Sequence, residues 1–266
     1  MPCPRFYCPP PPHFCGVNFP QPESELPASG ATFELPPQAA HHASRVLRLR
    51  AGDAVQVFDG GGHAVNAVIS RIDGKRVVLE KLQPCAVEAQ PPLHIALAQA
   101  LSSSEKMDWV IQKATELGVA EIQPLSTERS VAKLSAERIV KRLEHWRQVA
   151  ISACEQCGRN VLPEIHAPLD IMVWLQQMKK LPEELPAAKF ILLPQGAVSL
   201  HGMTKPPGRA ILLIGAEGGF TQAESDAALH CGFSPIRLGA RILRTETAAI
   251  AGLAALQTLW GDFADL

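Results

Sequence analysis

The sequence predicts an α/β protein in which a small all-β region precedes a larger region built on a parallel sheet. Three observations carry this prediction. Apolar residues alternate with period two between Val55 and Leu79, Pro84 and Pro91-Pro92 then break the pattern, and short apolar runs beyond them alternate with long helical stretches.

Residues 1 to about 30 are rich in Pro and Cys and carry no periodicity, so they read as an irregular lead-in to a first domain spanning 1–88. Ala39, Ala43, Val46 and Leu47 then suit a short amphipathic helix over Gln38 to Leu49. Val55 and Val57, Ala64 to Ile69 and Val77 to Leu79 read as strands. Asp59-Gly60-Gly61-Gly62 and Asp73-Gly74 between them are hairpin signals. Together they make a small β-barrel or meander.

The second domain is expected over 92–266. Leu93 to Leu101 reads as a buried strand, and Ser104 is placed to cap a helix with Met107, Val110, Ile111, Ala114 and Leu117 on its apolar face, stopped by Gly118. A longer helix runs from Ala136 to Cys157 and stops at Gly158. Phe190 to Leu193 and Ala210 to Ile214 have strand length, and Thr221-x-x-Glu224 is a capping box. The last helix, from about Thr247 to Trp260, is nearly all apolar in its first turns and calls for a core or a second copy of the chain to cover it.

Composition narrows the class. With 47% hydrophobic and 19% charged residues the chain reads as globular, and no apolar run is long enough to cross a bilayer. No signal peptide is evident at Met1 to Phe6 and seven Cys residues fit a reducing compartment, so a cytoplasmic protein without membrane contact is expected. A net charge of -1 provides no overall field toward nucleic acid, so such binding must come from local patches such as Arg45, Arg48 and Arg50 or Lys106 and Lys113.

Two loops stand out. Gly215-Ala216-Glu217-Gly218-Gly219 follows an apolar run and precedes a helix, which lets main-chain N–H groups approach a ligand, although neither the P-loop nor the dinucleotide fingerprint is met. Leu238 to Thr247 crowds Arg241, Arg244 and Glu246 against an apolar helix, a costly concentration of charge unless it is paired or meets a ligand. Both loops should lie at the C-terminal edge of the sheet. Cys154-x-x-Cys157 falls inside a helical pattern, with Ala153 and Cys157 continuing the buried face, and reads as packing. Cys3, Cys8 and Cys15 lack metal-ligand spacing, so no metal is expected.

Five separated segments resemble, in order, the signatures of one family: Arg45-Val46-Leu47-Arg48; Glu105-Lys106-Met107 with Ile111 to Gly118; Glu155-Gln156-Cys157-Gly158-Arg159; Leu213 to Phe220; and Leu238 to Thr247. That family is the ribosomal RNA small subunit methyltransferase E group. The resemblance runs from about Ala31 to the C-terminus. It departs where the family usually has Pro and this chain has Ala216 and Ala240, and it finds no counterpart for the insertion from about Cys8 to Pro27.

The resemblance implies a PUA-like β-barrel followed by a SPOUT-type α/β domain with a trefoil knot. It also implies methylation of uridine N3 in 16S rRNA, or of that RNA within the assembled small subunit, by a homodimer using S-adenosyl-L-methionine. The cofactor loops map to Leu193, Pro194 and Gln195; to Gly215, Glu217, Gly218 and Gly219; and to Leu238, Gly239, Ile242, Leu243, Arg244 and Thr245. Arg244 is expected to stabilise charge on a uracil carbonyl, with Glu246 orienting it and Glu217 as a candidate proton acceptor. Arg45, Arg48, Arg50, Lys106, Lys113, Arg129 and Arg159 are expected on RNA phosphates. Two alternatives stand beside this reading: a knotted methyltransferase acting on ribose 2′-O or on tRNA, and a catalytically silent RNA-binding assembly factor.

Overall fold

The computed structural model describes residues 3–9, 32–89, 91–130, 136–179, 187–194 and 198–264. Most of the Pro/Cys-rich stretch, with Cys15, lies outside them, as does Gln195. The chain divides into two compact units. The first comprises Met1–Ala89 with Cys154–Leu162, and the second Gln90–Ala153 with Pro163–Leu266.

The first unit is a five-stranded mixed sheet in the order β1-β3-β4-β5-β2, formed by β1 (Arg5–Tyr7), β2 (Phe33–Glu34), β3 (Ala54–Phe58), β4 (Ala64–Asp73) and β5 (Arg76–Pro84). β1 runs parallel to β3, and the other pairs are antiparallel. The alternation read from the sequence places Val55, Val57, Ile69, Val77 and Leu79 in one core with Phe6 and Phe33. Asp59 holds the first hairpin: its Oδ1 accepts the Gly61 and His63 N–H groups at 2.7 and 3.1 Å. The expected helix over Gln38 to Leu49 is real but changes pitch. α1 (Pro37–His41) passes into a π-helical turn over His42–Val46, and Arg48 then adopts a left-handed φ of 54°.

All strand pairs of the second unit are parallel. Its strands are β6 (His94–Ala100), β7 (Glu121–Ser126), β8 (Glu164–Ile165), β9 (Leu169–Asp170), β10 (Ala188–Leu192), β11 (Val198–Ser199), β12 (Arg209–Ile214) and β13 (Ser234–Arg237), in the order β11-β13-β10-β12-β6-β7-β8 with β9 beside β7. Among the described residues the accompanying helices are α2 (Ser104–Glu116), α3 (Ala136–Cys157), whose last turn from Cys154 belongs to the first unit, α4 (Ile171–Met178), α5 (Gln222–His230) and α6 (Thr245–Trp260).

Period two along β12 serves both faces of the sheet. Ala210, Leu212 and Ile214 enter a core with Met107, Ile111, Trp146 and Leu253 from α2, α3 and α6. Ile211 and Leu213 enter another with Trp174 and Leu175 of α4 and Ala228 of α5. Burial of each large apolar side chain stabilises by about 1.5–3 kcal/mol. α6 lies close on β12, because a Cβ at Gly252 would fall 2.7 Å from the Leu212 side chain.

Two local expectations are corrected. The N-cap of α2 is Ser103, not Ser104, and it makes no side-chain cap hydrogen bond. In the first unit, Cys154 takes the buried position at the end of α3 and Cys157 is exposed, because burial there selects the residue facing Phe58 and Ala64. Burial pushes the Cys154 thiol up to about 12, so it is a packed apolar group rather than half of a redox pair. A maleimide should therefore modify Cys157 in the native protein and leave Cys154 protected until unfolding. Native labelling of Cys154 would contradict this reading.

Candidate functional site

The C-terminal ends of β13, β10 and β12 are adjacent in the sheet, so the loops leaving them converge. Those loops are Leu193 onward after β10, Gly215–Phe220 after β12 and Leu238–Arg244 after β13. They line a cavity of about 720 Å³, to which Lys106 of α2 also contributes. That volume is in the range of small-molecule sites. Leu193, Pro194, Gly215, Glu217, Gly218 and Gly219 are all on its wall, as are Leu238, Gly239, Ile242, Leu243, Arg244 and Thr245. The loops flagged in the sequence are therefore brought together around one cavity.

Glycine shapes the loop after β12 on this wall. Gly219 has φ +69° and its N–H donates to Ala216 O at 2.9 Å, closing a tight turn that a side chain would strain. A Cβ at Gly215 would meet the Phe220 ring at 3.2 Å and the Gly219 backbone at 3.3 Å, so a side chain there would press on the returning loop. Thr221 ends the loop with the expected capping box, its hydroxyl accepting Glu224 N–H while the Glu224 carboxylate accepts Thr221 N–H at 2.8 Å.

A buried polar chain fixes the loop to α6. Gln99 of β6 is wholly buried and its amide donates to Thr245 Oγ1 at 2.9 Å, and that hydroxyl donates onward to Gly215 O at 2.5 Å. Gln99 is absent from the residues expected at the site. The signal that could have found it is a polar residue inside the apolar run of β6, a position that requires partners when buried.

The charged residues are distributed differently from expectation. Arg244 is exposed, lies on the cavity wall and stands at the N-cap of α6 without a side-chain cap bond. Glu246 does not pair with it. Its Oε2 lies 3.8 Å from Lys106 Nζ, and that buried oxygen has no hydrogen-bond partner among the described residues. The reason is geometric: one residue at the cap and one in the first helical turn diverge, and α2 presents its lysine to the second.

Glu217 accepts from Lys106 Nζ at 3.0 Å. Burial works to raise its pKa, but hydrogen bonds from its own and the Ser103 N–H, together with Lys106, hold the carboxyl below the ordinary carboxylate range. A carboxylate stabilised in this way is a weaker proton acceptor than a free one.

Arg129 donates to Gly218 O at 2.8 Å and to Phe220 O at 3.2 Å, and Lys113 pairs with Glu116 at 2.7 Å along α2. In the first unit Arg45, Arg48 and Arg50 are exposed around Val46 and Leu47, which are 60% and 43% exposed. The left-handed Arg48 is an uncommon conformation for a residue with a Cβ, and such positions recur where a chain meets a ligand. Arg159, also in this unit, is half-buried, and its carbonyl accepts from Arg5 Nη2 at 2.8 Å. Among the described residues no cluster of His, Cys, Asp and Glu could hold a metal ion, and no helix is long and apolar enough to cross a membrane.

A loop-built cavity on a parallel sheet, with a separate β unit that exposes the arginine cluster Arg45, Arg48 and Arg50, defines a class that similarity to known proteins makes specific. Residues 89–257 match the RNA methyltransferase domain family, and residues 35–82 match the RNA methyltransferase PUA domain family. Ribosomal RNA small subunit methyltransferase E of Buchnera aphidicola is 35% identical over 84% of this chain and 86% of its own. The enzyme of the same name from Neisseria gonorrhoeae, solved bound to S-adenosylmethionine, superposes with a TM-score of 0.83 at 37% identity over 98% of this chain and 99% of that one. A Legionella pneumophila protein solved in complex with the same cofactor gives 0.85 at 37% identity over 98% and 100%. The chain belongs to the ribosomal RNA small subunit methyltransferase E family.

Proposed function

We propose that this protein methylates N3 of a uridine in 16S rRNA with S-adenosylmethionine as the methyl donor, acting in the cytoplasm as a homodimer. The observation that carries the reading is the cavity lined by three loops at adjoining strand ends, with Arg244 exposed on its wall.

The residues present fit the cofactor. Gly215, Gly219 and Gly239 let main-chain groups approach an adenosine edge closely, while Leu193, Leu238 and Leu243 offer apolar surface to its rings and ribose. When bound, S-adenosylmethionine supplies an electrophilic methyl group on a positively charged sulfur. The chain's own part is to hold an unstacked uracil beside the cavity and to stabilise the charge placed on its carbonyl oxygens as the N3 proton leaves to water. Arg244 has the position and the permanent charge for that. Glu217, engaged with Lys106 and two N–H groups, is a structural anion here.

On this reading the loop Leu238–Arg244 belongs to a trefoil knot, and half-exposed Ile250, Ala251 and Ala254 on the apolar α6 are covered by a second copy. Arg45, Arg48, Arg50 and Arg159 of the first unit contact RNA phosphates, with Val46 and Leu47 against sugar or base.

Incubation with methyl-labelled S-adenosylmethionine and small subunits lacking the modification tests the reading. Label is expected in 16S rRNA. Cofactor binding without any transfer would favour a silent assembly factor, and transfer to tRNA a different knotted enzyme.

A further inference from the structure

Two cations expected on RNA are already engaged, and with the same loop. Lys106 stands in the first turn of α2, a helix anchored by buried Met107, Val110 and Ile111, and its ammonium donates to Glu217 at 3.0 Å. It also lies 3.8 Å from the buried Glu246 oxygen. A buried carboxylate oxygen without a hydrogen bond requires a compensating charge nearby, so Lys106 serves α6 and the glycine loop at once.

Arg129 reaches the loop from the turn after β7. That turn is braced internally, Ser130 N–H donating to Thr127 O at 3.1 Å and Ser130 Oγ accepting Thr127 N–H at 3.0 Å. It is braced externally as well, since Glu128 N–H donates to Glu224 Oε1 at 2.8 Å while the other oxygen of Glu224 caps Thr221. From this mount Arg129 Nη1 donates to Gly218 O and Phe220 O. The side chain lies so flat on the loop that a Cβ at Gly218 would come within 3.2 Å of Arg129 Cβ and Cδ.

We propose that Lys106 and Arg129 are positioning residues that hold the Gly215–Phe220 loop in the conformation that receives the cofactor, and are not RNA phosphate contacts. The inference rests on the proposed function for the identity of the ligand. The physical need is clear: a loop with three glycines loses more conformational freedom on ordering than one of the same length without them, so a loop ordered in advance binds its ligand more tightly. The two grips differ in kind. Lys106 supplies a point charge, which an arginine can replace. Arg129 donates to two carbonyls through the single nitrogen Nη1, fixed in direction at the end of a planar guanidinium lying on the loop, a placement that the freely turning ammonium of a lysine reproduces poorly.

The test uses the full chain with Lys106→Gln, Lys106→Arg, Arg129→Gln and Arg129→Lys. S-adenosylmethionine binding is measured by calorimetry, and 16S rRNA transcript binding is measured across a salt series. The glutamine variants should bind the cofactor about tenfold more weakly, Lys106→Arg should recover most of the loss and Arg129→Lys little of it. The salt slope for RNA should stay that of the wild type. A slope reduced by about one per substitution is the mark of a lost phosphate contact, and with or without a cofactor effect it would overturn the inference. So would unchanged cofactor affinity in both glutamine variants. Failure of the wild type itself to bind the cofactor would overturn the proposed function, and the inference with it.

Discussion

Replacing Arg244 with alanine should lower kcat for methyl transfer about 100- to 1000-fold, the usual cost of deleting one preorganised donor to a developing anion. Cofactor affinity should change far less. The side chain is exposed on the cavity wall, caps no helix through its own atoms and joins no ion pair with Glu246. Its loss therefore takes nothing from the core, and stability should stay within about 0.5 kcal/mol of the wild type. Single-turnover kinetics at saturating cofactor separate the two effects. A variant that retains wild-type kcat would remove Arg244 from the chemistry.

Thr245→Val should destabilise the protein by about 1–3 kcal/mol, although the two side chains have nearly the same shape. The hydroxyl is used twice, donating to Gly215 O at 2.5 Å and accepting from Gln99 at 2.9 Å. Valine takes one acceptor from the Gln99 amide, which keeps only its bond to Ala100 O, and the donor from Gly215 O, while buried Gln99 Oε1 already has no partner among the described residues. Because Gly215 opens the glycine loop, cofactor affinity should fall together with stability. Thr245→Ser keeps the hydroxyl and should cost less. Equal urea midpoints for wild type and Thr245→Val would show that the chain Gln99–Thr245–Gly215 does not carry the weight assigned to it.

Patterns set by near neighbours along the chain are legible in the sequence itself. The alternation from Val55 to Leu79, the capping box Thr221-x-x-Glu224 and the apolar faces of α2 and α3 are each fixed by spacing within a few residues, and each forms where that spacing puts it. The loops after β12 and β13 are legible too, since glycine and clustered charge mark them directly. Short elements are not. β8 and β9 have two residues each, too few for periodicity to register, and exist because β7 offers an edge to pair with. α4 escapes notice as well, although Asp170 caps it through two N–H groups ahead of an apolar run.

Pairings between distant segments are the other gap. Lys106 and Glu217 are 111 residues apart and Arg129 and Gly218 are 89 apart. Nothing in either segment distinguishes a lysine that will meet a carboxylate from one that will meet a phosphate. The parallel sheet decides it, by setting the C-terminal ends of β7, β6 and β12 side by side so that the residues beyond them converge. Position of the loops that line the cavity is thus readable from sequence, while the groups that hold them are not.

The most direct test of the central claim is the identity of the methylated nucleoside. Small subunits lacking the modification, treated with the protein and S-adenosylmethionine, are digested and analysed by nucleoside mass spectrometry. N3-methyluridine, absent when the cofactor is withheld, is the result expected. A ribose-methylated nucleoside, or an unmodified digest from protein that binds the cofactor, would contradict it.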